Sequence, residues 1–210
     1  MLKILIADDH PVFRRGLKQS IDETPDMHVA DEAADGWEAL RKATTCDYDV
    51  VLLDISMPSK NGLDVLSQLK AAKPTLPVLM LSMHPEEQYA VRALKTGASG
   101  YLTKESAPDE MLSAIRKVAR GGKYVSASLA EHLASMLREG ADRLPHQVLS
   151  NREYQVMCLL ASGKTLSEIG QQLSLSVKTA STYRTRVLEK LRIKNNAELI
   201  RYATMNQLVE

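Results

Sequence analysis

The sequence is poor in several features that mark particular classes of protein. Aromatic residues make up 4% of its 210 residues, and its only cysteines are Cys46 and Cys158. Two cysteines so far apart are not the framework of a disulfide-rich secreted domain, so we expect both to be buried thiols. No apolar run approaches the roughly 20 residues of a membrane helix, and charged Lys3 interrupts an apolar start too short for a signal peptide. These absences favour a cytoplasmic protein without a membrane segment.

The five histidines also lack the spacing of a metal site. They are scattered at positions 10, 28, 84, 132 and 146. Zinc ligands in proteins usually come in pairs at short, regular separations, which this distribution does not provide. We therefore predict no histidine metal site.

Charge is present in ordinary amount but is unevenly distributed. The net charge is +1, yet residues 1–121 contain 15 Lys and Arg against 18 Asp and Glu, a balance of −3. Residues 122–210 contain 12 against 8, a balance of +4. An acidic half joined to a mildly basic half is typical of a regulatory module attached to a nucleic-acid-binding module. The excess is small, so it supports this division only together with sequence motifs.

The first half alternates short apolar runs with amphipathic stretches. Strand-like runs occupy residues 2–7, 28–33, 48–53, 78–81 and 100–103, and each is followed by a helical pattern. Successive βα units form a parallel sheet that helices cover on both faces. The pattern predicts an α/β domain with a five-stranded parallel sheet, a (βα)5 unit, over residues 1–121.

The second half is predicted to be helical throughout. Residues 122–148 are interpreted as a linker that contains one helix, about Ser126 to Arg138, and then a polar segment with Gly140 and Pro145. Helical patterns follow over residues 151–161, 165–173, 177–191 and 196–205. Residues 149–210 are therefore predicted to form an all-α domain of four helices.

Polar residues stand where the predicted strands of the first half end. Asp8 and Asp9 follow the first strand, Asp54 the third, Ser82 the fourth and Lys104 the fifth. The carboxyl ends of parallel strands meet at one edge of a sheet, so these side chains are expected to converge there. Clustered carboxylates repel unless a cation joins them, and their hard oxygens suit Mg²⁺. The set predicts phosphoryl transfer to the Asp54 carboxylate, with the metal and Lys104 offsetting charge on the phosphoryl oxygens.

This half resembles the receiver domain of bacterial response regulators. The matching motifs are Asp8-Asp9-His10-Pro11, Leu52-Leu53-Asp54-Ile55-Ser56-Met57-Pro58 with Gly62, Leu81-Ser82, and Gly97-Ala98-Ser99-Gly100-Tyr101-Leu102-Thr103-Lys104. The ordered set, placed on the predicted five-strand pattern, covers the whole first half. The resemblance implies a flavodoxin-like fold that receives its phosphoryl group from a histidine kinase.

The resemblance also implies a role for each matching residue. Asp54 would be the phosphoacceptor, and the Mg²⁺ site would consist of Asp8, Asp9, Asp54 and the main-chain carbonyl of Ser56. Ser82 would hydrogen-bond to the phosphoryl group, Lys104 would pair with it, and Tyr101 would change rotamer with it.

Simpler interpretations exist for single members of this set. Asp8 or Asp9 alone is compatible with a helix N-cap ahead of Pro11, Lys104 alone with a surface lysine, and Tyr101 with strand packing. A different reaction, that of an aspartyl-phosphate phosphatase, is expected to need a second acid two residues after the nucleophile. Ser56 stands there instead, which argues against that enzyme.

Residues 165–191 have the pattern of a helix-turn-helix, with a three-residue turn at 174–176. The second helix carries short hydroxyls and long cations with few acids: Lys178, Thr179, Ser181, Thr182, Arg184, Thr185, Arg186 and Lys190. Lys178, Ser181, Thr182 and Thr185 follow at i, i+3, i+4 and i+7, one continuous stripe that we assign to the major groove of DNA. The two arginines and Lys190 would flank it as phosphate contacts or, for one arginine, as a packing residue.

The second half resembles the LuxR-type (NarL/FixJ) output domain from Leu149 to Tyr202, with Glu168-Ile169, Lys178-Thr179 and Lys190-Leu191 among the matching residues. The resemblance implies binding to double-stranded DNA and a homodimer, which we expect to form on phosphorylation. The sequence therefore predicts a phosphorylation-controlled transcription regulator, and not an enzyme beyond self-phosphorylation and slow autodephosphorylation. Two alternatives remain open. One is a helical hairpin used for protein contacts, and the other is a DNA binder whose first domain only dimerises.

Overall fold

The computed structural model describes residues 1–138, 145–206 and 208–209, which fall into two compact units, Met1–Glu131 and His132–Glu210. The elements of the first unit, in chain order, are β1 (Leu2–Ala7), α1 (Pro11–Asp22), β2 (Met27–Ala33), α2 (Gly36–Thr45), β3 (Val50–Asp54), α3 (Gly62–Ala72), β4 (Val78–Ser82), α4 (Glu86–Thr96), β5 (Gly100–Thr103) and α5 (Pro108–Ala119), and α6 (Ala127–Arg138) begins in it. The second unit contains a short 3-10 helix (Pro145–Val148), α7 (Asn151–Ala161), α8 (Leu166–Gln172), α9 (Val177–Leu191) and α10 (Asn196–Met205).

The first unit is a single parallel sheet with the strand order β2-β1-β3-β4-β5. Every residue of β3 and β4 is buried, as expected for central strands that helices cover on both faces. Apolar strand residues such as Ile6 and Leu52 pack against Ile21 of α1 and Ile115 of α5 in one core cluster. The predicted α/β fold with a five-stranded parallel sheet is confirmed.

One detail of the sequence interpretation is wrong, at Cys46, and one apolar residue of α1 lies outside the core. Val12 of α1 is 87% exposed. At 100° per residue it lies about 140° from Leu17, which is off the buried face of the helix. Cys158 is buried as expected, whereas Cys46 is exposed because it follows the last residue of α2 at the surface.

The second unit is built from α-helices whose amino ends are capped by side chains. Ser150 and Glu153 form a capping box at α7, and Thr165 and Glu168 form another at α8. Such caps satisfy backbone amides that have no partner within the helix. The predicted helical bounds agree within one residue at all four helices. Gly140, in the predicted linker, lies outside the described residues.

None of the described helices combines the length and the apolar character that a membrane-spanning helix requires.

Candidate functional sites

Three charged residues meet where β1, β3 and β5 end. Asp54 is the last residue of β3 and is 1% exposed, and Asp8 directly follows β1 and is fully buried. The Lys104 ammonium lies 2.8 Å from Asp54 Oδ2 and 2.7 Å from Asp8 Oδ2. The parallel topology thus joins residues that are up to 96 positions apart in the sequence, with one cation between two buried carboxylates.

The electrostatics of this pocket are unbalanced. Burial raises the pKa of Asp54; the Lys104 ammonium opposes that rise, and the neighbouring Asp8 carboxylate adds to it. One ammonium faces two buried carboxylates, with Asp9 beside them. Excess negative charge in a buried site costs free energy unless a cation shares it. The donor set of hard carboxylate oxygens therefore fits a divalent cation such as Mg²⁺.

The structure adds a residue that the sequence interpretation left out of this pocket. Ligand atoms of Asp8, Asp9, His10 and Asp54 all lie within 4.8 Å of one another. His10 Nδ1 is 2.9 Å from Asp9 Oδ1 and 3.3 Å from Asp8 Oδ1. His10 therefore lies beside the carboxylates, and the absence of a histidine from the metal site stays a prediction. The available signal was its position directly after the two aspartates, since a search for pairs of histidines overlooks a single one.

The segment that follows Asp54 is held by close backbone contacts. The Ser56 amide donates to Asp54 Oδ1 at 3.1 Å. A Cβ on Gly62 would lie 1.9 Å from the Asp54 carbonyl oxygen, and one on Gly36 would lie 2.0 Å from the Lys60 carbonyl oxygen. Only glycine permits these approaches. They fix the segment against both β3 and the start of α2.

A side-chain contact supports the same segment from α2. The Lys60 ammonium lies 4.0 Å from the ring centroid of Trp37, which is 56% exposed. A cation at this distance over an indole face is attracted by the ring quadrupole. The contact helps to hold the solvent-exposed side of the segment against α2.

Ser82 and Tyr101 are joined through the backbone of one residue. Ser82 ends β4, next to Leu81, which pairs with Asp54 in the sheet, and it is fully buried. Its Oγ accepts a hydrogen bond from the His84 amide at 2.9 Å. The hydroxyl of Tyr101, a fully buried residue of β5, donates to the His84 carbonyl at 2.9 Å. The two residues thus hold the segment between β4 and α4 from both sides.

Two families match this chain. Residues 4–116 match the response regulator receiver domain, and residues 147–203 match the bacterial regulatory proteins of the luxR family. The chain is a response regulator of the LuxR family. It is thus a DNA-binding regulator controlled by phosphorylation and not a catalytic enzyme.

Relatives agree with this assignment over the full length. The response regulator UvrY of Escherichia coli K12 is 34% identical over 99% of this chain and 96% of its own. The oxygen regulatory protein NreC of Staphylococcus carnosus is 35% identical over 100% of both chains. Among solved structures, RcsB from Salmonella enterica serovar Typhimurium, bound to a promoter in the presence of phosphomimetic BeF3-, is 25% identical over 96% of this chain and 97% of its own, with a TM-score of 0.60.

The helix-turn-helix of this response regulator consists of α8 and α9. The turn brings the helices close, because a Cβ on Gly170 would lie 2.8 Å from the Leu175 carbonyl oxygen. Ser176 caps α9 by accepting the Thr179 amide at 3.0 Å. Ala180 and Val187, two turns apart, are buried and fix which face of α9 points outward.

The predicted stripe lies on the outward face of α9. Lys178, Thr182 and Thr185 are exposed, and Ser181 is half-buried. The Thr182 hydroxyl donates to the Lys178 carbonyl at 3.0 Å, and the Thr185 hydroxyl donates to the Ser181 carbonyl at 3.2 Å. With the hydroxyl hydrogen directed to the helix, each threonine presents an acceptor oxygen and a methyl group to the outside. Both are groups that read base edges.

Three members of the predicted DNA-contact set have partners within the domain. The Thr179 hydroxyl is 2.8 Å from Ser176 Oγ, so it belongs to the cap of α9. Arg184 Nε donates to Asn196 Oδ1 at 2.8 Å, and it is the arginine that packs inside the domain. Lys190 Nζ lies 2.7 Å from Glu153 Oε2, whereas Arg186 stays exposed.

Glu153 is a second residue that the sequence interpretation left without a role, although Ser150-Asn-Arg-Glu153 has the pattern of a capping box. It is buried, forms the capping box of α7 and pairs with Lys190. Burial acts to raise its pKa, but hydrogen bonds from Lys190 and Ser150 outweigh burial and hold the pKa below its ordinary value. The pair therefore joins α7 to the helix that carries the stripe.

Proposed function

We propose that Asp54 is the phosphoacceptor of this response regulator. The observation that carries the proposal is the buried Asp54 carboxylate at 2.8 Å from the Lys104 ammonium. A carboxylate oxygen attacks the phosphorus of the donor, the bond between phosphorus and the leaving group breaks, and the leaving group departs with the electron pair. Lys104 then balances charge on the phosphoryl oxygens. The donor in the cell is a phosphohistidine of a histidine kinase, as expected for the family.

Mg²⁺ is the cofactor that this donor set favours. Asp8, Asp9 and Asp54, with the main-chain carbonyl of Ser56, would hold it, and the cation would neutralise charge on the transferring group. The imidazole of His10 lies at the same site but is a poor ligand for a hard cation. The carboxylates therefore account for the preference for magnesium.

The residues that respond to phosphorylation of Asp54, here called the reporting residues, are Ser82 and Tyr101. A new phosphoryl group brings strong hydrogen-bond acceptors to the sheet edge. The Ser82 hydroxyl turns toward it and Tyr101 changes rotamer, which biases the receiver between two states.

DNA contact is assigned to the outward face of α9. Lys178, Ser181, Thr182 and Thr185 would enter the major groove, and exposed Arg186 would contact phosphate. Because Thr179, Arg184 and Lys190 already have partners, we assign them to the architecture of the domain. This revises the sequence interpretation, which counted Thr179 and Lys190 among the DNA contacts and left open that one arginine packs within the domain.

We assign residues 1–121 to the receiver, 122–148 to the linker and 149–210 to the DNA-binding domain. The protein would act on DNA in the cytoplasm. Helix-turn-helix proteins read paired half-sites as two-fold dimers, so phosphorylation would favour a homodimer. The exposed apolar residues Ile200 and Met205 on α10 provide a surface that a second copy could cover.

The proposal is tested by phosphoryl uptake. With Mg²⁺ and acetyl phosphate, the wild-type chain gains the mass of one phosphoryl group and Asp54→Asn gains none. Asp109→Asn, an exposed acid of the same domain, serves as the matched control and reacts like wild type. Intact-mass spectrometry that shows equal uptake by Asp54→Asn places the phosphoacceptor elsewhere.

A further inference from the structure

The segment between α5 and α6 is attached to the edge of the receiver sheet. The Tyr124 amide donates to the Ser99 carbonyl at 2.8 Å, and Tyr124 forms a parallel bridge with Gly100 of β5. Lys123 Nζ donates to the Ala98 carbonyl at 2.8 Å, and the Tyr124 hydroxyl donates to Glu110 of α5. These contacts hold the segment in place up to the residue where α6 begins.

The start of α6 is tied to the start of α4. The Leu129 amide donates to Ser126 Oγ at 3.1 Å, so Ser126 caps α6. Glu86, the first residue of α4, accepts hydrogen bonds from the Ser126 hydroxyl and, at 3.0 Å, from the Ser128 hydroxyl. One carboxylate on α4 thus orients the serine that caps the next helix.

Glu86 directly follows the residues that hold Ser82 and Tyr101. The backbone of His84 binds Ser82 through its amide and Tyr101 through its carbonyl. The Tyr101 hydroxyl also lies 3.5 Å from the Pro85 carbonyl. Only the backbone of residues 84–86 therefore separates the proposed reporting residues from the cap of α6.

We propose that Glu86 couples the phosphorylation state of Asp54 to the start of the linker helix α6. The inference rests on the proposed function, in which Ser82 turns toward the phosphoryl group. That turn releases the His84 amide and shifts residues 84–86. Glu86 then moves away from Ser126 and Ser128, and the first turn of α6 loses its oriented cap. The Glu86 carboxylate is the positioning group, since it touches neither the donor nor the metal site.

Hydrogen–deuterium exchange of the full-length chain, with Mg²⁺ and with or without acetyl phosphate, tests the coupling. In the wild type, amides of residues 127–131 exchange about fivefold faster after phosphorylation, because an N-cap is worth about 1 kcal/mol. In Glu86→Ala these amides exchange fast even before phosphorylation, and phosphorylation does not change their exchange rate. Phosphoryl uptake, measured by intact mass, stays at the wild-type level.

Two further variants make the test specific. Ser128→Ala keeps the Ser126 cap, and phosphorylation should accelerate amide exchange less in this variant than in the wild type. This variant also tests the coupling if Glu86→Ala fails to fold. Glu110→Gln loosens the same segment where it meets α5, away from residues 84–86, and should respond like wild type.

A wild-type response in both Glu86→Ala and Ser128→Ala overturns the coupling. Loss of the response in Glu110→Gln also overturns it, since general loosening would then be the cause. If the wild type takes up no phosphoryl group, the proposed function itself fails and the inference with it, and the mass measurement separates that result from a failure of the coupling alone.

Discussion

The receiver pocket and the outward face of α9 are built in opposite ways. The pocket brings together Asp8, Asp54 and Lys104 at the ends of three strands, where the Lys104 ammonium contacts both buried carboxylates. The stripe on α9 takes all its residues from eight consecutive positions, and it leaves most of them exposed. A reaction site needs charged groups in a fixed geometry, which the strand topology supplies. A surface that reads a groove needs only a row of side chains, which helical periodicity supplies.

The difference extends to how strongly each charge acts. Within the buried pocket the effective dielectric is low and one ammonium influences two carboxylates. On α9 the cations face water, where salt screens charges over about 8–10 Å. Loss of one charge should therefore be more severe in the pocket than on the helix.

The largest effect is expected for Lys104→Ala. Removing the cation that faces the transferring group should lower the rate of phosphoryl uptake by about 10²–10³-fold, the usual loss for a buried electrostatic donor. Intact-mass spectrometry of samples quenched at successive times after addition of acetyl phosphate measures the rate. Lys18→Ala, whose lysine pairs with Glu32 outside the pocket, should react at the wild-type rate. Similar losses in both variants would contradict a specific role for Lys104.

Thr182→Ala should have the next largest effect, and only on specific DNA. On a site selected from random sequences we expect a loss of about 1–3 kcal/mol, with little change on unselected DNA. Arg186→Ala should weaken both alike and lower the salt slope by about one. Titrations at several salt concentrations compare the two, and equal losses of Thr182→Ala on both DNAs would remove the stripe from the groove.

A smaller, pH-dependent effect is expected for Glu153→Gln. Since the folded-state pKa of Glu153 is lowered, its contribution to stability is present above the unfolded pKa of about 4.3 and is lost as pH falls through the folded value. The variant should therefore lose about 1–2 kcal/mol at about pH 7 and much less in acid. Urea unfolding followed by circular dichroism measures this, with exposed Glu189→Gln as control. A difference that grows in acid would contradict the assignment.

The smallest effect is expected for His10→Ala. Its imidazole lies among the carboxylates, yet nitrogen is a poor ligand for Mg²⁺, so magnesium affinity should change by less than about twofold. Asp9→Asn, which removes a hard oxygen charge from the same cluster, should weaken binding by about tenfold or more. Calorimetric titration with Mg²⁺ distinguishes them. A larger loss in His10→Ala than in Asp9→Asn would make the histidine a metal ligand.

The same contrast explains what the sequence could predict. Apolar runs that end in Asp54, Ser82 and Lys104 identify strand ends, and the parallel topology then brings these residues to one edge. On α9 the 3.6-residue period alone identifies the outward stripe. The strand ends and the stripe are both visible as local patterns in the sequence, so both could be predicted from it.

The residues that we reassign have contacts between distant elements. Lys190 is 37 positions from Glu153, and Arg184 binds Asn196 on the next helix. A period or a composition does not reveal such partners, so both cations were candidates for DNA contact, with packing left open for one arginine. The proximity of His10 to Asp54 also depends on the fold, although its position directly after Asp8 and Asp9 was visible in the sequence.

The contact between Lys60 and Trp37 gives the receiver an optical property. The chain contains one tryptophan, so its fluorescence comes from a single indole. A cation 4.0 Å from the ring centroid is close enough to influence the excited state of the indole. Because Lys60 belongs to the segment that follows Asp54, the emission of Trp37 is an intrinsic reporter of that segment, in a protein that needs no attached dye.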